Sequence, residues 1–296
     1  MRCVKTSLVV LGAILTVACA SVTPDTGPLG PGPQPRIALV LGGGGARGFA
    51  HVGVIRVLEQ EKIPIDLVVG TSVGSLIGAL YAHQANSFEL EWAAFSMEKS
   101  DVFDYTILSA GMGPVLGDKL EAFVARQVRS SDIEQLKIPF VAVAVDLNRG
   151  VPIALERGPV ARAVRASCAI PGVFQPVSHQ GRLLVDGGVI NNIPISVARS
   201  KGVDVVIAVD ISENVTNFEI ANLLDVTLQA VAIMFRESVD HHKRDADVLI
   251  TPSVGSVRAF DFTEKKRLMQ AGIDATQKAL PQIRKTIEDW KKKQSR

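Results

Sequence analysis

The chain has 296 residues, of which 47% are hydrophobic, so it is long enough to bury a large core. Its 32 basic and 30 acidic residues nearly balance, and Arg2 and Lys5 are the only charged residues among the first 18. The rest of the chain therefore has no excess of positive charge, which argues against a nucleic-acid partner.

The first 20 residues have the pattern of an export signal. The basic start is followed by an apolar run from Leu8 to Val17 that is too short to span a bilayer comfortably. Residues 17–19 resemble a bacterial lipobox, in which Cys19 would become the lipid-bearing N-terminus. The alternative is ordinary cleavage after Ala20. Both readings export the protein.

We therefore expect a signal peptide over residues 1–18, a Pro/Gly-rich tether over 19–35 and a folded domain over 36–296. The expected location is the bacterial cell envelope, with the domain anchored to the membrane by lipid on Cys19. A soluble periplasmic or secreted protein is the alternative. With Cys3 and Cys19 assigned to the leader, only Cys168 remains; it forms no intrachain disulfide and is predicted to be a small core residue.

The folded domain opens with an apolar strand at 37–41, a glycine loop at 42–48 and an amphipathic helix to about Glu61. Backbone N–H groups that converge near a helix N-terminus form an anion-binding turn. The spacing of Gly43, Gly45 and Gly48 also fits a dinucleotide-binding fingerprint. That alternative is disfavoured, because it requires an acidic residue at the end of the second strand.

The second strand ends instead in a serine. Residues 65–81 read as a buried strand, a sharp turn and a helix, with Ser72 at the apex of the turn. Gly70 and Gly74 stand two residues to either side, as in a nucleophile elbow, where the flanking backbones can approach only without side chains. The elbow exposes the hydroxyl above the sheet and directs a helix N-terminus toward it.

Strands and helices keep alternating downstream, which predicts an α/β fold of three layers, α/β/α, with a mostly parallel central sheet. The segment 100–117 has no clear period and is predicted to be a loop or cap over the site. The other predicted helices are 87–97, 118–128, 160–167, 218–239 and a terminal helix from Thr263 that is broken by Pro281, and the other predicted strands are 140–145, 182–185, 203–209 and 248–250.

A serine becomes a nucleophile only when a base takes its proton and donors stabilise the oxyanion. The glycine loop supplies N–H donors with Arg47 nearby, and the usual βαβ connection places its strand beside that of Ser72. For the base, His179, His241 and His242 have the chain order of a Ser/His/Asp triad, but none follows a strand in a turn. Asp186 ends a buried strand before two glycines and is the stronger candidate.

Three motifs in this order resemble the patatin-like phospholipase family, especially its bacterial members. They are the loop GGGARG at 43–48, the elbow GTSVG at 70–74 and DGG at 186–188; the stretches 47–53 and 166–171 add to the likeness. The resemblance covers about residues 36–210, a motif-bearing core, and extends more loosely over a C-terminal helical extension.

The resemblance implies a serine acyl hydrolase with a Ser/Asp dyad, in which Ser72 is the nucleophile and Asp186 the proton acceptor. The substrate would be a lipid or acyl ester, such as a (lyso)phospholipid, and no cofactor or metal is implied. A lipid-binding or regulatory envelope module of the same fold is the alternative, and the oligomeric state is not predicted. The implied supporting residues are Gly43, Gly44, Gly45, Arg47 and Gly48 in the oxyanion hole and Gly70, Gly74, Gly187 and Gly188 in the elbow and turn.

The C-terminal stretch 278–296 is basic and places Ile283, Ile287 and Trp290 at helical spacing. Two interpretations remain open for it. It is either a last packed helix with a solvated basic face, or an amphipathic helix that contacts a membrane surface.

Overall fold

The computed structural model describes residues 34–106, 112–129, 132–212 and 220–295, except for the side chains of 223 and 224. The predicted signal peptide, Cys19 and nearly all of the tether lie outside the described residues. The strands are β1 (Ile37–Leu41), β2 (Leu67–Thr71), β3 (Phe140–Asp146), β4 (Val151–Leu155), β5 (Val177–His179), β6 (Arg182–Asp186), β7 (Val205–Val209) and β8 (Val248–Ile250). The helices are α1 (Phe49–Gln60), α2 (Val73–Gln84), α3 (Ser87–Ser96), α4 (Lys99–Val102), α5 (Asp118–Gln127), α6 (Val160–Ser167), α7 (Gly188–Asn191), α8 (Ile195–Ser200), α9 (Leu223–His242) and α10 (Lys265–Gln294).

One sheet organises the domain, in the order β5-β6-β3-β2-β1-β7-β8, with β4 added on β3. Its centre, β3-β2-β1-β7-β8, is parallel, whereas the β3–β4, β3–β6 and β5–β6 pairs are antiparallel. The glycine-loop strand β1 lies directly beside the serine strand β2, as the βαβ connection predicts.

The sheet is covered on both faces, because its central strands alternate apolar side chains between two separate hydrophobic clusters. In β1, Ile37, Leu39 and Leu41 pack into the larger cluster, with α1, α2, α3, α5, α6 and α10. Ala38 and Val40 pack into the smaller one, with α8 and the end of α9. The predicted three-layer α/β/α fold is confirmed.

Strand β3 pairs with three other strands, with β4 on one edge and with both β2 and β6 on the other. Residues 142–146 of β3 pair with β4 along one edge. On the opposite edge, residues 140–143 pair with β2 and residues 144–146 pair with β6, which runs the other way. Strands β2 and β6 therefore lie end to end along one edge of β3, and their C-terminal residues meet.

The terminal helix is not broken at Pro281, contrary to the prediction. Helix α10 continues through this residue, which is exposed. Proline in a helix interior costs about 3 kcal/mol. Packing on both sides of it outweighs this cost, since Leu268 and Ile283 are fully buried and each such side chain contributes about 1.5–3 kcal/mol. Gly272 also lets α10 touch the α1 backbone at Ala50.

Other elements were not predicted or differ from the prediction. Strand β4 was not predicted, because its burial pattern is mostly exposed and Pro152 interrupts it. Strand β5, which ends at His179, was not predicted either. The segment 100–117 contains part of α4, and its residues 107–111 lie outside the described residues.

Candidate active site

Ser72 stands between β2 and α2 in a backbone conformation that is rare for a residue with a side chain. Its φ is 55° and its ψ is −129°. The Ser72 N–H donates a 2.9 Å hydrogen bond to Ser167 Oγ, and the Ser167 hydroxyl donates one of 2.6 Å to the Val143 carbonyl. The turn is thus fastened to β3 and α6, which stabilises the strained geometry.

The two glycines of the elbow are required by close backbone contacts. A Cβ on Gly70 would overlap the carbonyl of Gly74, and a Cβ on Gly74 would overlap the carbonyl oxygen of Leu41 at the end of β1. Strand β2 and helix α2 can therefore cross this tightly only with glycine at both positions.

The structure brings Asp186 to Ser72. Thr71, the last residue of β2, pairs with Val143, and Asp186, the last residue of β6, pairs with the next residue, Ala144. Both chain ends therefore lie at one point on the same edge of β3. Asp186 itself is fully buried.

One carboxylate oxygen of Asp186 is held and the other is open. Oδ1 accepts a 2.8 Å hydrogen bond from the Gly188 N–H. Oδ2 accepts no hydrogen bond of normal geometry from the described residues. Burial raises the pKa of Asp186 to about 7, and hydrogen bonding by the Ser72 hydroxyl and the Gly188 N–H opposes this rise. Asp186 thus ionises near neutral pH, and the Gly188 N–H holds Oδ1 and not Oδ2.

The Asp-Gly-Gly turn is shaped by two close approaches. A Cβ on Gly187 would overlap the Val143 carbonyl oxygen. A Cβ on Gly188 would lie about 2.5 Å from the ring of Phe235, which belongs to α9. The turn is therefore packed between β3 and α9, which fixes the N–H that binds Asp186.

The glycine loop presents two unoccupied N–H groups. Gly43 N–H donates to the Asn192 carbonyl at 3.2 Å, and Ala46 N–H donates to the Ala259 carbonyl at 2.7 Å. Within the described ranges, neither Gly44 N–H nor Gly45 N–H makes a hydrogen bond, and both residues line the same cavity as Ser72. These two groups can receive a developing negative charge there.

The remaining loop residues hold it in place. A Cβ on Gly43 would lie 3.1 Å from Ser72 Cβ, so the loop passes directly beside the serine. Gly48 packs on Val73, where a Cβ would clash. The guanidinium of Arg47 is buried, lines the cavity and donates from one η nitrogen to the Val257 carbonyl at 3.3 Å. Arg47 thus links the loop to the segment before α10.

None of the histidines proposed for a triad lies in the Ser72 cavity. His179 ends β5, and His241 is exposed at the end of α9. His242 Nδ1 contacts the Ser238 carbonyl of its own helix at 2.8 Å.

His51 is fully buried in α1, where Nε2 is 2.8 Å from the Gly42 carbonyl. Burial lowers the pKa of His51 to about 4, so it is neutral, and because a carbonyl only accepts, the bond assigns the proton to Nε2.

Several residues that support the site were not predicted from the sequence. Asn192 accepts from Gly43 N–H with its carbonyl and donates from its side chain toward the Gly43 carbonyl at 3.4 Å. Its own N–H is held by Ser238 Oγ of α9 at 2.8 Å. Asn192 and Ser238 lie 46 residues apart, and neither forms a motif with the glycine loop. Only Ser167 had a signal, as part of the stretch 166–171.

Within the described ranges, no cluster of His, Cys, Asp or Glu could hold a metal ion. No helix in this part of the chain combines the length and apolarity that crossing a bilayer requires.

Fold and site together define a three-layer α/β protein with a strained serine beside a buried carboxyl group and open N–H donors. The profile of the patatin-like phospholipase family matches residues 39–199, which is more than half of the chain. The chain therefore belongs to the patatin-like phospholipase family.

Relatives with longer chains share this domain. The mouse protein "Patatin-like phospholipase domain-containing protein 6" is 40% identical over 183 residues, which are 59% of this chain and 13% of that protein. An uncharacterized NTE family protein of Mycobacterium tuberculosis (strain ATCC 25618 / H37Rv) is 38% identical over 181 residues, 60% of this chain and 50% of that protein. This chain thus matches half or less of the length of these relatives.

Among solved structures, the crystal structure of VipD from Legionella pneumophila is similar, with a TM-score of 0.59. The similarity covers 84% of this chain and 67% of that one, at 14% sequence identity. At this identity the comparison supports the fold alone.

Proposed function

We propose that this protein is a serine acyl hydrolase that cleaves acyl ester bonds of (lyso)phospholipids or related lipids through a dyad of Ser72 and Asp186. The observation that carries the proposal is the open Oδ2 of a fully buried Asp186 beside the strained Ser72. Besides the Ser72 hydroxyl, no donor competes for this oxygen among the described residues, so it is placed to take the proton of Ser72.

In the first half of the reaction, Ser72 Oγ attacks the ester carbonyl carbon while its proton passes to Asp186 Oδ2. A carboxylate is ordinarily a weaker base than imidazole, but a pKa of about 7 matches the base to neutral pH. The proton then moves from Asp186 to the oxygen of the departing alcohol as the ester C–O bond breaks. The acyl group remains on Ser72.

In the second half, water attacks the acyl-enzyme while Asp186 accepts its proton. The bond to Ser72 Oγ breaks, the proton returns to Ser72, and the carboxylic acid is released. The same groups thus act in reverse order.

Both tetrahedral intermediates carry an oxyanion, for which we assign the N–H groups of Gly44 and Gly45 as donors. These groups lack hydrogen bonds among the described residues and line the Ser72 cavity. Helix α2 begins directly after Ser72 and adds the positive end of its dipole, although the N–H groups of Ser75 and Leu76 already donate to the Ser72 carbonyl. Loss of one such donor typically costs about 10²–10³ in kcat.

The test is labelling of the purified domain with a fluorophosphonate probe and turnover of short-chain p-nitrophenyl esters. We expect wild type to be labelled and active, and Ser72→Ala to be neither. Unfolding curves of both proteins control for folding. Equal background rates in folded wild type and Ser72→Ala would reject the hydrolase and leave the alternative, a lipid-binding or regulatory module of the same fold.

We further propose that the protein is exported and held at a membrane of the bacterial envelope by lipid on Cys19. Support comes from the leader and lipobox pattern alone. Incorporation of labelled palmitate in a bacterial host should be lost in Cys19→Ser and kept in Cys3→Ser, which changes a cysteine inside the leader. Labelling of Cys19→Ser, or a mature chain that starts after Ala20, would contradict the anchor.

A further inference from the structure

Two cavities of different character meet at Ser72. The larger has a volume of about 730 Å³, and the smaller has one of about 50 Å³. The residues common to both are Gly45, Ser72, Ile170, Ala259, Phe260 and Phe262. An ester carbonyl at Ser72 would therefore have one substituent on either side, each facing a different chamber.

The narrow chamber is the smaller cavity, which extends from Ser72 between α2, α4 and α5. Beyond the shared residues its wall includes Val73, Leu76, Val102 and Leu120. Among the described residues of this wall, Ser72 and Cys168 alone have a hydroxyl or thiol group, and burial raises the pKa of the Cys168 thiol, which keeps it neutral. A charged or hydroxylated group would be desolvated there without hydrogen-bond partners, at a cost of about 1–3 kcal/mol or more. Hydrocarbon meets no such penalty.

The wide chamber is the larger cavity, which opens beneath α9. Its wall combines apolar side chains of α9, such as Leu228 and Phe235, with charged side chains, which include those of Lys99, Arg258, Lys265, Asp225 and Asp261. Arg258 and Lys99 are exposed at its rim. A polar or ionic group can keep water or find partners of either sign here.

A short segment separates the chambers. Residues 259–262 contribute Ala259, Phe260 and Phe262 to both walls. The Ala259 carbonyl accepts the Ala46 N–H at 2.7 Å, which fastens the segment to the glycine loop. The rings of Phe260 and Phe103 lie 4.9 Å apart, edge to face. The partition is therefore rigidly held at the point where Gly44 and Gly45 present their N–H groups.

The partition and the roof of the wide chamber come from residues 225–265, beyond the family profile that ends at residue 199. The profile thus covers the serine, the carboxylate and the glycine loop, and leaves out the residues that divide the cavity.

We propose that the narrow chamber binds the acyl chain and the wide chamber binds the alcohol portion of the substrate, with residues 259–262 as the partition that sets this orientation. The proposal rests on the proposed acyl hydrolase activity. The narrow chamber is dry, and its volume of about 50 Å³ has room for only the first few methylenes of an acyl chain, so the side chains that close it disfavour longer chains. The charged wide chamber instead tolerates large polar alcohols, such as a glycerophosphoryl group.

The first test compares two substitutions that each place a phenyl ring in one chamber. Val102→Phe fills the narrow chamber and Leu228→Phe, on α9, fills the wide one. The measured quantity is the ratio of kcat/KM for p-nitrophenyl octanoate to that for the acetate. We expect Val102→Phe to lower this ratio about tenfold or more, since each methylene in an apolar pocket contributes 10-fold or more to discrimination. Leu228→Phe should leave the ratio within about twofold.

Leu120→Ala provides the opposite change, because it lengthens the narrow chamber. We expect it to raise the octanoate-to-acetate ratio. Unfolding curves identify variants that do not fold. A ratio lowered by Leu228→Phe and unaffected by Val102→Phe and Leu120→Ala would overturn the assignment and place the acyl chain in the wide chamber.

A second measurement does not require turnover. Decanoate binding to Ser72→Ala, followed by titration calorimetry, should weaken about tenfold when Val102→Phe is added and change little when Leu228→Phe is added. If wild type hydrolyses no ester but decanoate binding shows this pattern, the hydrolase proposal fails and the assignment of the acyl chain to the narrow chamber is kept. If decanoate affinity depends only on Leu228, or decanoate does not bind, the chamber assignment fails.

Discussion

Thr71 and Asp186 pair with consecutive residues of β3, Val143 and Ala144, on one edge of that strand. They are 115 positions apart in the sequence, yet β2 arrives at this point from one direction and β6 from the other. Ser72 follows Thr71 directly, so the register of a single strand decides that a hydroxyl and a carboxylate meet. The proposed dyad is thus a consequence of mixed strand direction within the sheet.

If Asp186 is the base, activity must require its ionised form. We expect kcat/KM to rise with pH and to level off above an apparent pKa of about 7, because burial raises the pKa of Asp186 to that value. Asp186→Asn should lower kcat/KM by about 10³ or more, as loss of a general base does.

Exposed or peripheral histidines provide the control for this profile, since an imidazole would also titrate near pH 7. His179→Gln and His241→Gln should keep both the rate and the midpoint. A folded variant of either kind that loses activity would reject the dyad in favour of a histidine base.

The same carboxylate should make stability depend on pH. Folded Asp186 holds its proton up to about pH 7, whereas an unfolded aspartate loses it near about pH 4. Between these values the folded state binds more protons, so this residue lowers the free energy of unfolding as pH rises. Relative to wild type, Asp186→Asn should gain up to about 4 kcal/mol between pH 4 and pH 8. Urea unfolding at both pH values measures the difference, and a constant difference would contradict the raised pKa.

His51 should act in the opposite sense. Its pKa is about 4 when folded and about 6.5 when unfolded, so the unfolded state takes up the proton first and stability is lost as pH falls through this interval. His51→Gln retains a donor for the Gly42 carbonyl without a charge, and we expect its urea unfolding midpoint to depend less on pH between 7 and 5. Its activity profile should keep the midpoint of wild type. A shifted midpoint would implicate His51 in proton transfer.

Gly45 and Gly150 form a matched pair for the glycine loop. Both have positive φ, 57° and 65°, so alanine incurs a similar backbone cost of about 1 kcal/mol at each. A Cβ on Gly45 would overlap the Ala259 carbonyl, whereas one on Gly150 meets nothing within 4 Å. We expect Gly45→Ala to lower kcat at least about 100-fold, because the displaced loop no longer directs its N–H groups at the oxyanion, and Gly150→Ala to change stability alone. Similar kcat losses in both would refute the loop assignment.

Pro281 lies exposed within the continuous helix α10. Replacing it with alanine restores a backbone donor and relieves the ring clash, so Pro281→Ala should raise the free energy of unfolding by about 1–3 kcal/mol. Urea unfolding at pH 7 provides the measurement. A less stable variant would show that the helix is adapted to the proline.

Local patterns in the sequence predicted much of the fold. Strands β1 and β8 and helix α6 were predicted with the bounds that the structure shows, because short apolar runs and a helical apolar period can be recognised from neighbouring residues in the chain. The predicted break at Pro281 was wrong because it considered only the local sequence. Helix α10 is held together across this proline by α1 and β8, which pack on it from elsewhere in the chain. Strand β4 was missed because its pairing with β3, and not its own pattern, makes it a strand.

The sequence by itself identified both Ser72 and Asp186 as candidate site residues. Each stands in a local turn motif with glycines at positions where the backbone leaves no room for a side chain. The sequence did not determine their distance, the open oxygen of Asp186 or its raised pKa. Those follow from burial and strand register, which arise only when β2 and β6 meet on β3. Tertiary structure alone also decided which residues divide the cavity at Ser72, since 259–262 reach the glycine loop through a carbonyl that no sequence motif marks.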